Sequence, residues 1–161
     1  SDPDRLQAHL IEISPADKAY FAQRYDDFGR RLSAAETRWD ATMAPYKGTR
    51  LVTYHRSWPN FMERFGLNVI GYVEPKPGIP PTTSHTVELI DEMKRQGVKL
   101  IVVEPYFSLK TPQAVANQLA GGKVLVLAPS VGAVKEVTDY IQLFDYDVNL
   151  LSGALKQITG K

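Results

Sequence analysis

The stretch Leu51-Val52-Thr53-Tyr54-His55-Arg56-Ser57-Trp58-Pro59-Asn60-Phe61 decides the fold. Leu51 to Tyr54 is apolar or β-prone, as a buried strand requires. Trp58, Phe61, Met62 and Phe65 then fall at i, i+3, i+4 and i+7 before Gly66, so a helix follows at once, with Ser57 as its expected cap. The carboxyl end of a strand feeding the amino end of a helix is where open α/β sheets take their ligands. One histidine, His55, stands at that junction. A lone histidine is commonly no more than a hydrogen-bonding loop residue, and both readings stay open on this stretch alone.

Working outward, the chain after Gly48 alternates short strands with helices. Strands are expected at 50–54, 68–73, 99–103 and 123–127, three of them nearly continuous apolar runs, as parallel strands covered on both faces would be. The helices between them, 57–65, 84–96 and 111–120, open near Ser or Thr and close at Gly66, Gly97 and Gly121. A last helix at 138–156 carries Ile141, Phe144, Val148, Leu151 and Leu155 on one face. Such alternation predicts right-handed crossovers and a layered α/β domain: a Rossmann-like lobe built on a four-stranded parallel sheet with flanking helices. The strand-end loops should then share one edge. They contain His55-Arg56, the proline-rich Glu74-Pro75-Lys76-Pro77-Gly78-Ile79-Pro80-Pro81, Glu104-Pro105-Tyr106 and Pro129-Ser130-Val131-Gly132. The proline loop has little conformational freedom to lose and suits a stiff rim or docking surface.

Upstream, residues 3–13 suggest a short helix, and Ser14-Pro15-Ala16-Asp17 offers a cap, a first-turn proline and an early acid. Phe21, Tyr25, Phe28, Leu32, Ala35 and Trp39 then recur at spacings of four and three, predicting a helix over 15–44 that is roughly 45 Å long. That exceeds what one compact sheet needs to cover it. The expected organisation is therefore residues 1–48 as an amino-terminal helix plus a long linking spine, and 49–161 as the α/β lobe.

Composition narrows the function. Nineteen basic against 18 acidic residues leave a net charge of +1, which favours neither nucleic acid nor an anionic membrane surface. No apolar run approaches bilayer length, and the opening Ser1-Asp2-Pro3-Asp4 has neither the charged leader nor the apolar core of a signal peptide. Without cysteine there are no disulfides and no thiolate ligands, so a metal would be held by histidine and carboxylate. The dinucleotide, phosphate-loop and Gly-x-Ser-x-Gly signals are absent. None of His9, His55 and His85 stands four residues from another, so no self-contained helical zinc site exists. His9 reads as a solvent-facing residue of the first helix and His85 as a surface residue of a first helical turn. Glu74 and Glu104 lie at strand ends, where an unpaired carboxylate is costly to bury, so each should have a partner or a task. Asp139, beside a helix start, is explained by the helix dipole alone or by a site.

Taken together, Val52-Thr53-Tyr54-His55-Arg56-Ser57-Trp58, Gly71-Tyr72-Val73-Glu74-Pro75, Val102-Val103-Glu104-Pro105-Tyr106-Phe107, Ala128-Pro129-Ser130-Val131-Gly132 and Tyr140-Ile141-Gln142-Leu143-Phe144-Asp145-Tyr146 resemble the carboxyl-terminal half of the periplasmic zinc/manganese-binding proteins of ABC importers. Asp2-Pro3 resembles the dipeptide that precedes the long helix of that family. The resemblance implies two α/β lobes joined by one rigid helix, with the metal between them, which accounts for the overlong spine. It implies metal ligation by His55, a position often held by glutamate in manganese binders. It implies a carboxylate ligand at Asp139, an alignment that could equally land on Thr138, and a supporting role for Glu104. The implied cargo is zinc, with manganese the alternative. The implied partner is a membrane permease, and the implied location is periplasmic or otherwise extracytoplasmic. The family's first lobe, with its two further histidine ligands, has no counterpart in these residues, so two protein donors and weak binding are expected. Self-association is also expected, through apolar surface on the spine such as Phe21, Tyr25 and Trp39. On this reading the chain is not an enzyme. The alternatives are a small α/β enzyme using Glu74 and Glu104 near His55, and an interaction module presenting the proline loop.

Overall fold

The computed structural model describes residues 18–161. The expected short helix at 3–13, the Ser14-Pro15 cap and His9 lie outside the described residues. The chain divides into two compact units, Ser1–Arg38 and Trp39–Lys161, and everything that forms the site belongs to the second. Helix α1 is a single run of 26 residues, Lys18–Met43. Its early apolar residues Tyr20, Tyr25 and Phe28 are exposed. Trp39 is not, contrary to its expected place on an open flank. Its indole Nε1 donates to Asp145 Oδ1 at 2.7 Å and its ring stacks on Phe144, so it belongs to the core of the second unit.

The elements that follow are β1 (Arg50–Thr53), α2 (Pro59–Arg64), β2 (Asn68–Tyr72), α3 (Thr83–Gln96), β3 (Leu100–Val103), α4 (Lys110–Asn117), β4 (Lys123–Val126) and α5 (Tyr140–Thr159). All strand pairs are parallel, in the order β2-β1-β3-β4, so every strand ends at the same edge of the sheet. The strands and helices expected between residues 50 and 156 are all present. The start of α2 is displaced: its N-cap is Trp58, without a side-chain cap, rather than Ser57. Pro59 occupies the first helical turn, and a proline disfavours helical backbone in the residue before it, so the helix cannot begin earlier. Helix α3 starts as its sequence suggests, with Thr82 Oγ1 accepting the His85 amide at 3.1 Å, and it stops at left-handed Gly97.

The central strands carry the core. Leu51, Val52 and the four residues of β3 are fully buried. Strand alternation sends Val52, Ile101 and Val103 to one face, where they pack with Leu89 and Met93 of α3 and Val115 of α4. The opposite face receives Val148, Leu151 and Leu155 of α5, which packs on β3 and β4. Helix α3 lies close to the sheet because Gly71 has no side chain: a Cβ there would sit 2.8 Å from Leu89 Cδ1. Among the described residues no helix is long and apolar enough to cross a membrane. Since Ile101 is fully enclosed between layers, Ile101→Ala should lose about 2–5 kcal/mol of stability. Urea titration checks this; a loss well below that range would mean the two helical layers can collapse onto the sheet.

Candidate metal centre

The strand register builds the site. Thr53 of β1 is level with Tyr72 of β2 on one side and Val102 of β3 on the other. Two residues further along each chain stand His55, Glu74 and Glu104, so three side chains from three adjacent strands come level just past the sheet edge. The ladder continues beyond the strands far enough to hold them there: Tyr54 N–H donates to Val102 O at 2.7 Å, and Glu74 N–H donates to Tyr54 O at 3.0 Å. Thr53 Oγ1 donates to the His55 carbonyl at 2.6 Å, fixing the turn away from β1. Pro75 and Pro105 each follow one of the glutamates, and proline holds the preceding residue extended, which keeps both carboxylates on the face chosen by the pleat.

The imidazole lies between the two acids. Its Nε2 contacts Glu74 Oε2, and its Nδ1 faces Glu104 Oε2 at 3.6 Å. Glu104 is completely buried, and neither its oxygens nor His55 Nδ1 has a hydrogen-bond partner among the described residues. Phe107 packs on the imidazole at 4.2 Å between centroids, and Tyr54 at 4.7 Å, forming an aromatic wall. The Tyr54 hydroxyl is pushed above its ordinary pKa, first by burial and then by the negative charges of Glu74 and Glu104. The region is thus largely enclosed and negatively biased. Arg56, next in sequence to His55, makes a cation–π contact instead of an ion pair with either glutamate, its guanidinium lying over the Tyr72 ring at 4.5 Å.

Of the residues expected at the site, the structure joins His55 to Glu104 and adds Glu74 as a direct neighbour. Asp139 stands apart from that contact. It is the exposed N-cap of α5, with Oδ1 accepting the Gln142 amide at 2.8 Å. Thr138, the other candidate, donates its hydroxyl to Gln142 Oε1 at 2.7 Å. No three His, Asp or Glu side chains among the described residues converge on a common point, because His55 turns its two nitrogens toward different carboxylates. His85 differs from the surface residue expected of it. Its Nε2 lies 2.8 Å from Tyr72 O, so it ties α3 to the end of β2. In the proline loop, Ile79 N–H donates to Lys76 O at 3.1 Å, with Pro77 second and positive-φ Gly78 third, the residues that a type II turn demands.

The described residues thus form an α/β domain with a histidine–carboxylate cluster at its strand ends. The chain belongs to the family described as zinc-uptake complex component A, periplasmic, whose profile matches residues 4–154. It is 26% identical over 154 residues to the high-affinity zinc uptake system protein ZnuA of Brucella suis, covering 94% of this chain and 44% of that protein. The Brucella abortus protein of the same name is 26% identical over 149 residues. The chain thus spans less than half the length of the curated relatives it matches. Among solved structures it resembles a ZnuA crystal structure (TM-score 0.76, 21% identity, 92% of this chain and 53% of the other). It also resembles FpvC of Pseudomonas aeruginosa in complex with Mn2+ (TM-score 0.70, 21% identity, 96% and 56%). These likenesses confirm the fold.

A second feature of the same edge was not expected from sequence. A cavity of about 390 Å³ opens beside the β1–α2 junction, walled by Trp58, Phe61, Pro129 and Phe144, with Asp147 in its lining. Asp147 is buried, and its Oδ1 accepts the Ala128 amide at 2.8 Å. Burial raises its pKa from 3.8 to about 7, against the smaller opposing effect of that hydrogen bond. The folded chain therefore binds this proton more tightly than the unfolded chain does. The stabilisation is complete below about pH 4, the ordinary carboxyl range, and is lost as pH rises toward 7. Asp147→Asn keeps an acceptor for Ala128 and removes the charge. It should raise the melting temperature at pH 8 by an amount corresponding to on the order of a few kcal/mol, with little change at pH 4. Equal melting shifts at both pH values would show that charge burial is not the cause.

Proposed function

We propose that this chain is the carboxyl-terminal metal-binding lobe, residues 49–161 preceded by its linking helix, of a solute-binding protein that captures zinc outside the cytoplasm and passes it to the permease of an ABC importer. The observation that carries this reading is His55, held between two buried carboxylates that form no ion pair with a lysine or arginine among the described residues. Nitrogen and oxygen donors without sulfur suit zinc and also admit manganese. His55 supplies the imidazole ligand and Asp139 a carboxylate from the α5 N-terminus. Glu104, against the buried Nδ1, orients the ring in the manner of carboxylate–histidine–metal arrangements. Within a two-lobed protein the opposite lobe would supply the remaining donors, so this chain holds the metal weakly and water completes the shell.

The reading makes the lobe a carrier rather than a catalyst, so its assay is binding. Calorimetry with zinc alone should show weak, single-site binding, with affinity reduced roughly tenfold or more in His55→Ala. The weakening in Glu104→Gln should come with unchanged helical circular dichroism. Tight zinc binding that survives His55→Ala would place the site elsewhere and overturn the proposal.

A further inference from the structure

Glu74 is the nearest acid to His55, yet the two-ligand reading gives it no role. Its position is built. Its backbone is the last rung of the β1–β2 ladder, Pro75 holds it extended, and its side chain is nine-tenths buried with its Oε2 against His55 Nε2. The two imidazole nitrogens are not equivalent. Nδ1 is sealed from solvent and faces the fully buried Glu104, so a cation arriving from solvent can meet the ring only at Nε2, the nitrogen beside Glu74. A metal ion bound to Nε2 therefore arrives within reach of the Glu74 carboxylate, with which no lysine or arginine among the described residues forms an ion pair. The unpartnered oxygens of Glu104, aimed at the other side of the same ring, mark the cluster independently as short of positive charge.

We infer that Glu74 is a metal ligand, coordinating the same ion as His55 Nε2, and that its oxygen fits this lobe to manganese as well as zinc. This rests on the metal-carrier reading above and extends it. Histidine alone favours zinc, whereas each added carboxylate shifts a site toward harder divalent ions, so the Glu74 oxygen matters more to manganese than to zinc. The contact seen between Glu74 and the imidazole is then the metal-free arrangement, in which the two donors satisfy each other until a cation separates them.

The test uses the whole chain with each metal alone: calorimetry for zinc, and loss of the aqueous Mn2+ paramagnetic resonance signal for manganese. Glu74→Gln should weaken zinc binding roughly tenfold and manganese binding by a larger factor. Glu74→Asp, which keeps the charge on a shorter arm, should fall between wild type and Glu74→Gln for both metals, and it tests the idea should Glu74→Gln fail to fold. Unchanged or tighter binding of both metals by either folded variant would show that Glu74 is only a counter-ion displaced by the metal, and would overturn the inference. His55→Ala separates the two levels. If it weakens zinc binding while the Glu74 variants do not, only the role of Glu74 falls. If it leaves zinc binding intact, the carrier reading falls with it.

Discussion

The parallel register of β1 between β2 and β3 is the constraint on which the site depends. Thr53, Tyr72 and Val102 are level, and the ladder bonds at Tyr54 and Glu74 extend that alignment past the strand ends. Because side chains alternate with a period of two, a slip of one residue in either neighbour would turn Glu74 or Glu104 to the other face of the sheet. The register is itself fixed by burial. Val52, Ile101 and Val103 must meet α3 and α4 while Leu51, Leu100 and Val102 face the opposite layer, and no shifted pairing satisfies both. The hydrophobic core thus specifies the position of three polar groups that contribute nothing to it.

Placing those groups is costly, and the cost indicates what they await. Two carboxylates carry a formal charge of −2 when ionised, and taking them out of water is strongly unfavourable unless they are paired. The protein supplies one imidazole between them, while the guanidinium of Arg56, the residue after His55, lies over Tyr72. An arginine in ion-pair contact with Glu74 or Glu104 would have made a conventional buried salt bridge and filled the space. Leaving the deficit open beside the stacked rings of Tyr54 and Phe107 would favour a divalent ion there, as the proposed carrier role requires.

Most of the fold was legible in the sequence because local signals agreed with one another. Apolar runs marked the strands, and glycines with positive φ marked the ends of α2 and α3. The failures have specific causes. Ser57 looks like a cap until Pro59 is given precedence in setting the first turn. Trp39 continues the apolar stripe of α1, but periodicity does not say which part of a stripe is covered, and Asp145 lies too far along the chain to be read as its partner. The contact of His55 with Glu74 and Glu104 depends on the strand order β2-β1-β3, and alternation of strands and helices does not determine that order. Had β3 been placed outside β2, Glu104 would have lain two strands from His55, with the same local signals throughout.

Asp147 shows the same limit from the opposite direction. The apolar periodicity of α5 runs through Phe144, Val148 and Leu151, and Asp147 lies beside that stripe, where an acid would ordinarily be assigned to solvent. It is buried because the chain after β4 turns back over it, and the free amide of Ala128 needs an acceptor at that point. A neutral acceptor would serve the backbone equally well. The carboxyl therefore adds something the fold does not require: a buried group near neutrality in its titration, lining a cavity bordered by Arg56 and Ser57, the residues that follow His55. The edge of the sheet that presents His55, the proposed metal ligand, is thus also where the lobe's stability responds to pH, and the two features share the β1–α2 connection.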